Sequence, residues 1–303
     1  MRSYISDRKF LAFEDAPDGR VIARFDDGTT ATGDLLVGAD GASSTVRTQL
    51  LPHAQRAQTG IMAVSGKLGL KDQVRELTPP PIFLGPTLML GPKGCFLFAN
   101  AVEYSSTDAL RPRPPVDASG YDLSSVDREE YVMWGFSARR EKFALPEYRD
   151  ACDLQALKTA VLTLMQEWDP GLQWIVQNTN TISTFSVKTS VPIPAWKTRN
   201  VTLLGDALHN MTPFRGMGAN AALRDAATLR RALARVVRGE SLLLESLAAY
   251  EQQMIQHGFQ AVRMSLDNMR QVHSEGIQRE FTKLIFRFMN SMPRFKQKIN
   301  RNR

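Results

Sequence analysis

Cysteine is scarce in this chain: Cys95 and Cys152 are the only two in 303 residues. Neither sits at a spacing that suits a metal or a redox pair, so a disulfide framework is excluded and free thiols in a reducing, cytoplasmic setting are expected. Histidine is scarce too. His53, His209, His257 and His273 are the four present, and no two of them have ligand spacing. No hydrophobic run is long enough to span a bilayer, and no apolar N-terminal stretch resembles a signal peptide. Asn200-Val-Thr202 and Asn210-Met-Thr212 are glycosylation sequons in form only, since nothing routes the chain to the secretory pathway. The formal charge of +7 is diffuse and partly terminal, with Arg294, Lys296, Lys298, Arg301 and Arg303 close together at the end. A balance of that kind usually serves solubility or steering, and nucleic-acid binding is not expected.

What is present is an ordinary globular composition, 43% hydrophobic and 23% charged, in a chain long enough for a large core. Phe10–Phe13, Val21–Phe25 and Thr29–Thr32, with Asp27-Gly28 between the last two, read as a β-meander. The apolar run Asp34–Gly41 reads as a buried parallel strand ending in a Gly/Asp turn, and Ser43–Arg47 as a capped helix start. From about Gln58 to Ala195, short strands (Ile61–Val64, Thr87–Leu90, Phe96–Ala99, Tyr131–Phe136, Thr181–Val187) alternate with the proline-rich breaks Pro79–Pro81 and Pro112–Pro115. That texture predicts a mostly antiparallel sheet, with a helix over Leu154–Trp168 before its last strand. Strand-turn-helix returns over Asn200–Val237, and Ser246–Met269 reads as another helix. Phe281, Leu284, Ile285, Phe288, Met289 and Met292 make the apolar stripe of a last one. That stripe and the basic tail could lie on an anionic membrane surface, although docking on the domain is the commoner fate of such a helix.

The chemistry concentrates in Val201-Thr-Leu-Leu-Gly205-Asp206-Ala-Leu-His209, followed by Pro213, Gly216, Gly218 and Asn220. An apolar strand delivers an acid at its carboxyl end, where Asp206 can accept hydrogen bonds from sugar-like hydroxyls. A glycine-paired turn then opens a helix whose first amides, near Gly218, Ala219 and Asn220, face any acceptor edge brought to them. Gly216 and Gly218 lack Cβ, so backbone can approach a flat ring, with Pro213 beside the ring's edge. The positive end of the helix favours negative charge on that ring.

Two elements carry a specific resemblance. Gly38-Ala-Asp40-Gly41-Ala-Ser-Ser44-Thr-Val-Arg47 resembles the "DG" element of FAD-dependent aromatic-hydroxylase monooxygenases, the salicylate-hydroxylase and para-hydroxybenzoate-hydroxylase type. Gly205-Asp206 through Asp225-Ala226 resembles their "GD" element, and Tyr250–Arg263 is also similar to this family. The resemblance implies an α/β fold: a partial Rossmann-like FAD-binding domain in two segments, 1–57 and 197–270, interrupted by a β-sheet substrate domain, 58–196. A helix and basic tail, 271–303, would follow. It implies FAD as cofactor, NAD(P)H as co-substrate, and O₂-dependent hydroxylation or epoxidation of a small apolar compound of aromatic or secondary-metabolite type, with no protein nucleophile. Asp206, Gly216, Gly218, Ala219, Asn220 and Pro213 would hold the flavin, and Asp40 and Arg47 would organise the pyrophosphate side and the nicotinamide approach. His209 is read as structural. Lys67, after Ser65-Gly66, is weighed as a residue facing the ring. Phe96, Phe98, Trp134 and Phe136 are weighed as pocket lining, with core packing the commoner fate.

Gly216-Met-Gly218-Ala-Asn-Ala221 also fits G-x-G-x-x-A, but that fingerprint needs a strand directly before it and an acid about 20 residues on, after a second strand. Thr212-Pro-Phe-Arg215 precedes it here and a long helix follows, so a pyrophosphate site at this position is not expected. The G-x-G-x-x-G βαβ unit with which the family opens is not found in the sequence. Three explanations stand side by side: a fragment or truncated product of an enzyme, a partner chain that supplies the nucleotide-binding half, or a non-catalytic relative. Without that unit's strands, Leu35–Val37 and Val201–Leu204 would present apolar edges short of neighbours.

Overall fold

A computed structural model describes residues 8–104, 129–145 and 153–276, together with positions 280 and 284. The described residues fall into two compact units, bounded Met1–Thr59 with Lys188–Met269, and Gly60–Val187 with Arg270–Arg303.

In the first unit, β1 (Phe10–Asp15), β2 (Val21–Phe25) and β3 (Thr30–Gly33) form the antiparallel meander, its turns closed by Gly19 and Gly28 at positive φ. β4 (Leu36–Gly38) is shorter than the run 34–41 and pairs in parallel with β10 (Val201–Leu203), so chain segments far apart in sequence share one ladder. α1 (Thr45–Leu50) starts after Ser44, whose Oγ accepts from the Arg47 amide at 2.8 Å. After β10 come the short helix α5 (Asp206–His209), a 3₁₀ turn at Pro213–Arg215, α6 (Gly218–Val237) and α7 (Leu243–Val272). The core of the first unit joins Phe13, Val46, Val201, Leu203, Leu208, Leu247, Tyr250, Met254 and Phe259. The Tyr250 hydroxyl donates to the Leu203 carbonyl at 2.8 Å, tying α7 to the strand that ends at the Gly205 turn, and burial raises its pKa.

α7 also carries a buried acid. Glu251 is 3% exposed and accepts from the Thr202 and Thr198 hydroxyls at 2.9 and 2.6 Å. Desolvation raises its pKa, and the hydroxyl bonds only partly offset this. A carboxyl whose folded pKa is raised binds its proton more tightly in the native state. Its stabilising contribution is therefore present at acid pH and is lost as pH rises from the ordinary carboxylate range through the folded value. Glu251→Gln is expected to melt higher than wild type near pH 8, with the gap closing toward pH 5. Each kcal/mol would read as about 2–4 °C in a thermal melt. A gap independent of pH would refute this assignment.

The second unit holds β5 (Arg56–Gly69), β6 (Thr87–Leu90), β7 (Phe96–Val102), β8 (Tyr131–Arg139) and β9 (Thr181–Ser190) in one sheet ordered β6-β7-β8-β5-β9. Side chains alternate across it. Val64, Leu97, Ala99, Val132, Trp134 and Phe136 enter the core with the helices. On the opposite face, Ser65 registers with Gly135, Gly135 with Phe98, and Phe98 with Leu88. Proline gives a 3₁₀ helix at Pro80–Leu84, after α2 (Asp72–Leu77), rather than only a break. The helix expected over Leu154–Trp168 is α3 (Leu154–Leu164), which stops early, and a further helix that was not expected, α4 (Pro170–Asn178), starts where Asp169 Oδ1 accepts from Gly171 at 2.8 Å and Pro170 occupies the first turn. The Asp-Pro pair is the cap-and-start signal of this second helix. α7 likewise exceeds the expected Ser246–Met269 at both ends. Pro112–Pro115, Cys152 and all of the last apolar stripe except Leu284 lie outside the described residues, and so does the basic tail. No helix among the described residues is long and apolar enough to cross a membrane.

Candidate functional site

The turn after β10 begins at Gly205, with φ 61° and ψ −136°, a conformation that side chains resist. A Cβ there would also come within 2.8 Å of the Ala222 methyl on α6. Gly205 thus lets the strand end lie directly on α6. Asp206 follows with its side chain exposed, while Ala207, Leu208 and His209 are buried. The chain continues through the 3₁₀ turn, which ends at Gly216 with φ 61°, and enters α6 at Gly218.

The structure brings the expected residues of this turn together. Asp206 Oδ1 lies 4.0 Å from where a Cβ on Gly218 would stand. Met217, the residue before α6, makes no side-chain cap. The first amide to bond back within the helix is Ala221, to the Met217 carbonyl at 2.9 Å, so the amides of Gly218, Ala219 and Asn220 form the open first turn. Pro213, Gly216, Ala219 and Asn220 are exposed, and nothing lies within 4 Å of a Cβ built on Gly216. One exposed face of the unit therefore offers a carboxylate acceptor, a row of helix-start donors and a glycine surface without side chains. These features fit a polyol chain joined to a flat ring with an acceptor edge, which is the chemistry of a flavin's ribityl and pyrimidine end.

Asp40 and Arg47 are placed differently. Asp40 Oδ2 accepts from the Thr45 and Val46 amides at 2.8 and 3.2 Å, capping α1. Arg47 is 7% exposed, and its Nη1 donates to the carbonyls of Ala42 (3.1 Å) and, 160 residues away, Ala207 (2.7 Å). Burial, then the nearby Arg56, lowers its pKa, yet a guanidinium keeps its charge. In this arrangement Arg47 braces the acidic turn from beneath. Lys67 is exposed, with Nζ 3.9 Å from the centre of the Tyr131 ring. Trp134 and Phe136 are core residues, Phe96 is buried at 5%, and Phe98 is half-buried on the outer sheet face. His53 is exposed, His257 lies 2.9 Å from an Arg224 amino group, and the buried His273 bonds Ser137. Among the described residues no cluster of metal-ligating side chains is present.

Reading the sequence missed how the turn is held. Asp225 Oδ2, 4% exposed, accepts from the Gly205 amide at 3.1 Å and lies 2.5 Å from His209 Nε2, with His209 1% exposed. The ring of His209 in turn lies against Gly258 of α7, where a Cβ would stand 2.3 Å from Cδ2. Asp225 and Gly258 both lay within quoted motifs, but nothing in their spacing pointed to this contact.

A model of the FAD binding domain family matches residues 105–265. The chain belongs to that family. Curated relatives include the dual O-methyltransferase/FAD-dependent monooxygenase elcB of Phaeosphaeria nodorum, 31% identical over 251 residues, covering 73% of this chain and 26% of that protein. Another is the 6-hydroxynicotinate 3-monooxygenase of Pseudomonas fluorescens, 26% identical, covering 86% of this chain and 59% of that protein. This chain therefore spans less than two thirds of the length of either relative. Among solved structures, a Photorhabdus luminescens protein described as an FAD-containing monooxygenase superposes with a TM-score of 0.75 at 32% identity, covering 88% of this chain and 68% of that one. The fold is that of the FAD-dependent monooxygenases, a mixed α/β architecture with an antiparallel sheet, and FAD is the cofactor for which the family is named.

Proposed function

We propose that this chain forms the flavin-ring and ribityl part of an FAD-dependent monooxygenase that uses NAD(P)H and O₂ to hydroxylate or epoxidise a small apolar, aromatic or secondary-metabolite compound. The observation that carries this reading is the exposed Asp206 carboxylate standing beside the uncapped start of α6. Asp206 would accept from ribityl hydroxyls. The amides of Gly218, Ala219 and Asn220 would donate to the pyrimidine carbonyl edge, and the helix end would stabilise negative charge there. Gly216 and Pro213 would flank the ring. Asp40 and Arg47 would serve by shaping α1 and the turn, next to the pyrophosphate side and the nicotinamide approach. Bound FAD would supply the redox chemistry, accepting hydride and activating oxygen. The unit built on residues 1–59 and 188–269 would be the cofactor domain. The second unit would carry substrate on its outer sheet face, where Ser65 and Phe98 flank Gly135.

The test is to load the purified chain with FAD and assay NAD(P)H oxidation with a panel of hydroxylated aromatic acids and heteroaromatics, following products by mass. Product one oxygen atom heavier, dependent on O₂ and NAD(P)H, is the expected result. Flavin binding with no oxygenated product would favour the alternative, a non-catalytic relative.

A further inference from the structure

We infer that His209 and Asp225 act as a positioning pair for the acidic turn. By pinning both ends of Gly205–His209 to α6, they set where the Asp206 carboxylate stands relative to the first amides of that same helix. The inference rests on the flavin reading given above.

Three features carry it. Asp225 Oδ2 receives the Gly205 amide at 3.1 Å and stands 2.5 Å from His209 Nε2; these are the residue just before Asp206 and the third residue after it. The loop is closed on itself by the His209 amide donating to the Gly205 carbonyl at 3.0 Å. Further, the pair has no room to shift. Ala222 of α6 stands under Gly205, and Gly258 of α7 brings its backbone against the imidazole, so the ring is confined between two helices. Finally, the pair is dry, at 1% and 4% exposure. Neither side chain reaches the exposed face that carries Asp206, so neither can touch a ligand there.

Filling the core would not by itself favour this pair. Burying a carboxylate against an imidazole carries a desolvation penalty that apolar side chains of similar volume avoid. What the pair adds is direction. A carboxylate accepts along defined lone-pair directions, and the two donors come from the two ends of a five-residue turn. Because Asp225 lies two turns along α6 from Gly218, a single rigid helix carries both the pin and the amide row. Arg47 adds a second strut from α1, at the Ala207 carbonyl.

The experiment uses the full chain and FAD as the probe, with three readouts: FAD affinity by flavin-fluorescence titration, the thermal melt of the flavin-free protein, and hydrogen exchange at the Gly205 amide. His209→Leu removes the donor. His209→Gln keeps an amide able to reach the Nε2 position, and Asp225→Asn keeps the size. His209→Leu is expected to weaken FAD binding about tenfold, equivalent to about 1.4 kcal/mol, and to speed Gly205 exchange. His209→Gln is expected to recover most of both. Asp225→Asn is expected to weaken binding several-fold. If His209→Leu fails to fold, the Gln and Asn variants decide the matter through affinity and Gly205 exchange. Folded variants that bind FAD like wild type, with Gly205 exchange unchanged, would overturn the positioning role and leave the flavin reading intact. Wild-type chain that binds no FAD would overturn the flavin reading, and this inference with it.

Discussion

Asp206→Ala is expected to weaken FAD binding by about ten- to a hundredfold and to change the melting temperature of the flavin-free chain by no more than about 2 °C. The two effects separate because of where the side chain lies. Asp206 is exposed at the start of α5, while its neighbours Ala207, Leu208 and His209 fill the core. Removing an exposed carboxylate that packs on nothing alters stability by about 0.5 kcal/mol at most. Removing a charged acceptor from ligand hydroxyls forfeits about 1.5–3 kcal/mol of binding. Asp206→Asn, which keeps an acceptor oxygen but not its charge, should fall between the two. Fluorescence titration and a thermal melt on the same samples check both. Equal FAD affinity in Asp206→Ala and wild type would remove Asp206 from the site.

The second large effect is at Gly258, and its sign is the informative part. A mid-helix glycine replaced by alanine ordinarily gains up to about 1 kcal/mol, because alanine loses less backbone entropy and suits the helix better. In α7 the opposite is expected. The new methyl would stand 2.3 and 2.5 Å from Cδ2 and Cγ of the His209 ring, and the ring is tethered at Nε2 to Asp225. Overpacking of this kind costs about 1–3 kcal/mol, so Gly258→Ala should lower the chemical-denaturation midpoint, and Gly258→Val should lower it further. Either change pushes on the acidic turn, so FAD affinity should fall together with stability. A stabilised Gly258→Ala would mean that the close approach of α7 to His209 is wrong.

These two sites differ in how far they could be seen in the sequence. Gly205, Asp206 and Gly216 were legible because each is a residue type chosen by a local constraint. Gly205 and Gly216 take positive φ, and Asp206 is an acid at the end of an apolar strand. The strands of the large sheet were legible from alternation and from the proline and glycine punctuation between them. The order β6-β7-β8-β5-β9 was not, because strand neighbours depend on crossovers that no local pattern records. The start of α4 could have been read from Asp169-Pro170, whereas Met165 and Trp168, at helical spacing with the apolar positions of α3, hid its end at Leu164. The bracing of the turn was out of reach. Asp225 meets Gly205 only because α6 folds back with one particular helical phase, and Arg47 meets Ala207 across 160 residues. Resemblance assigned Arg47 to the cofactor's neighbourhood. The geometry adds a physical reason for an arginine there: a buried guanidinium whose Nη1 donates to the carbonyls of two separate turns, Ala42 and Ala207.

The central claim is that flavin sits against the Gly205–Asp206 turn and the start of α6. The most direct measurement is backbone-amide chemical-shift mapping of the ¹⁵N-labelled chain during titration with FAD. The account predicts the largest shifts at Asp206, Gly218, Ala219 and Asn220, with smaller ones at Gly205 and Gly216. FAD that binds while those amides stay unmoved, with the shifts gathered on another face, would contradict it.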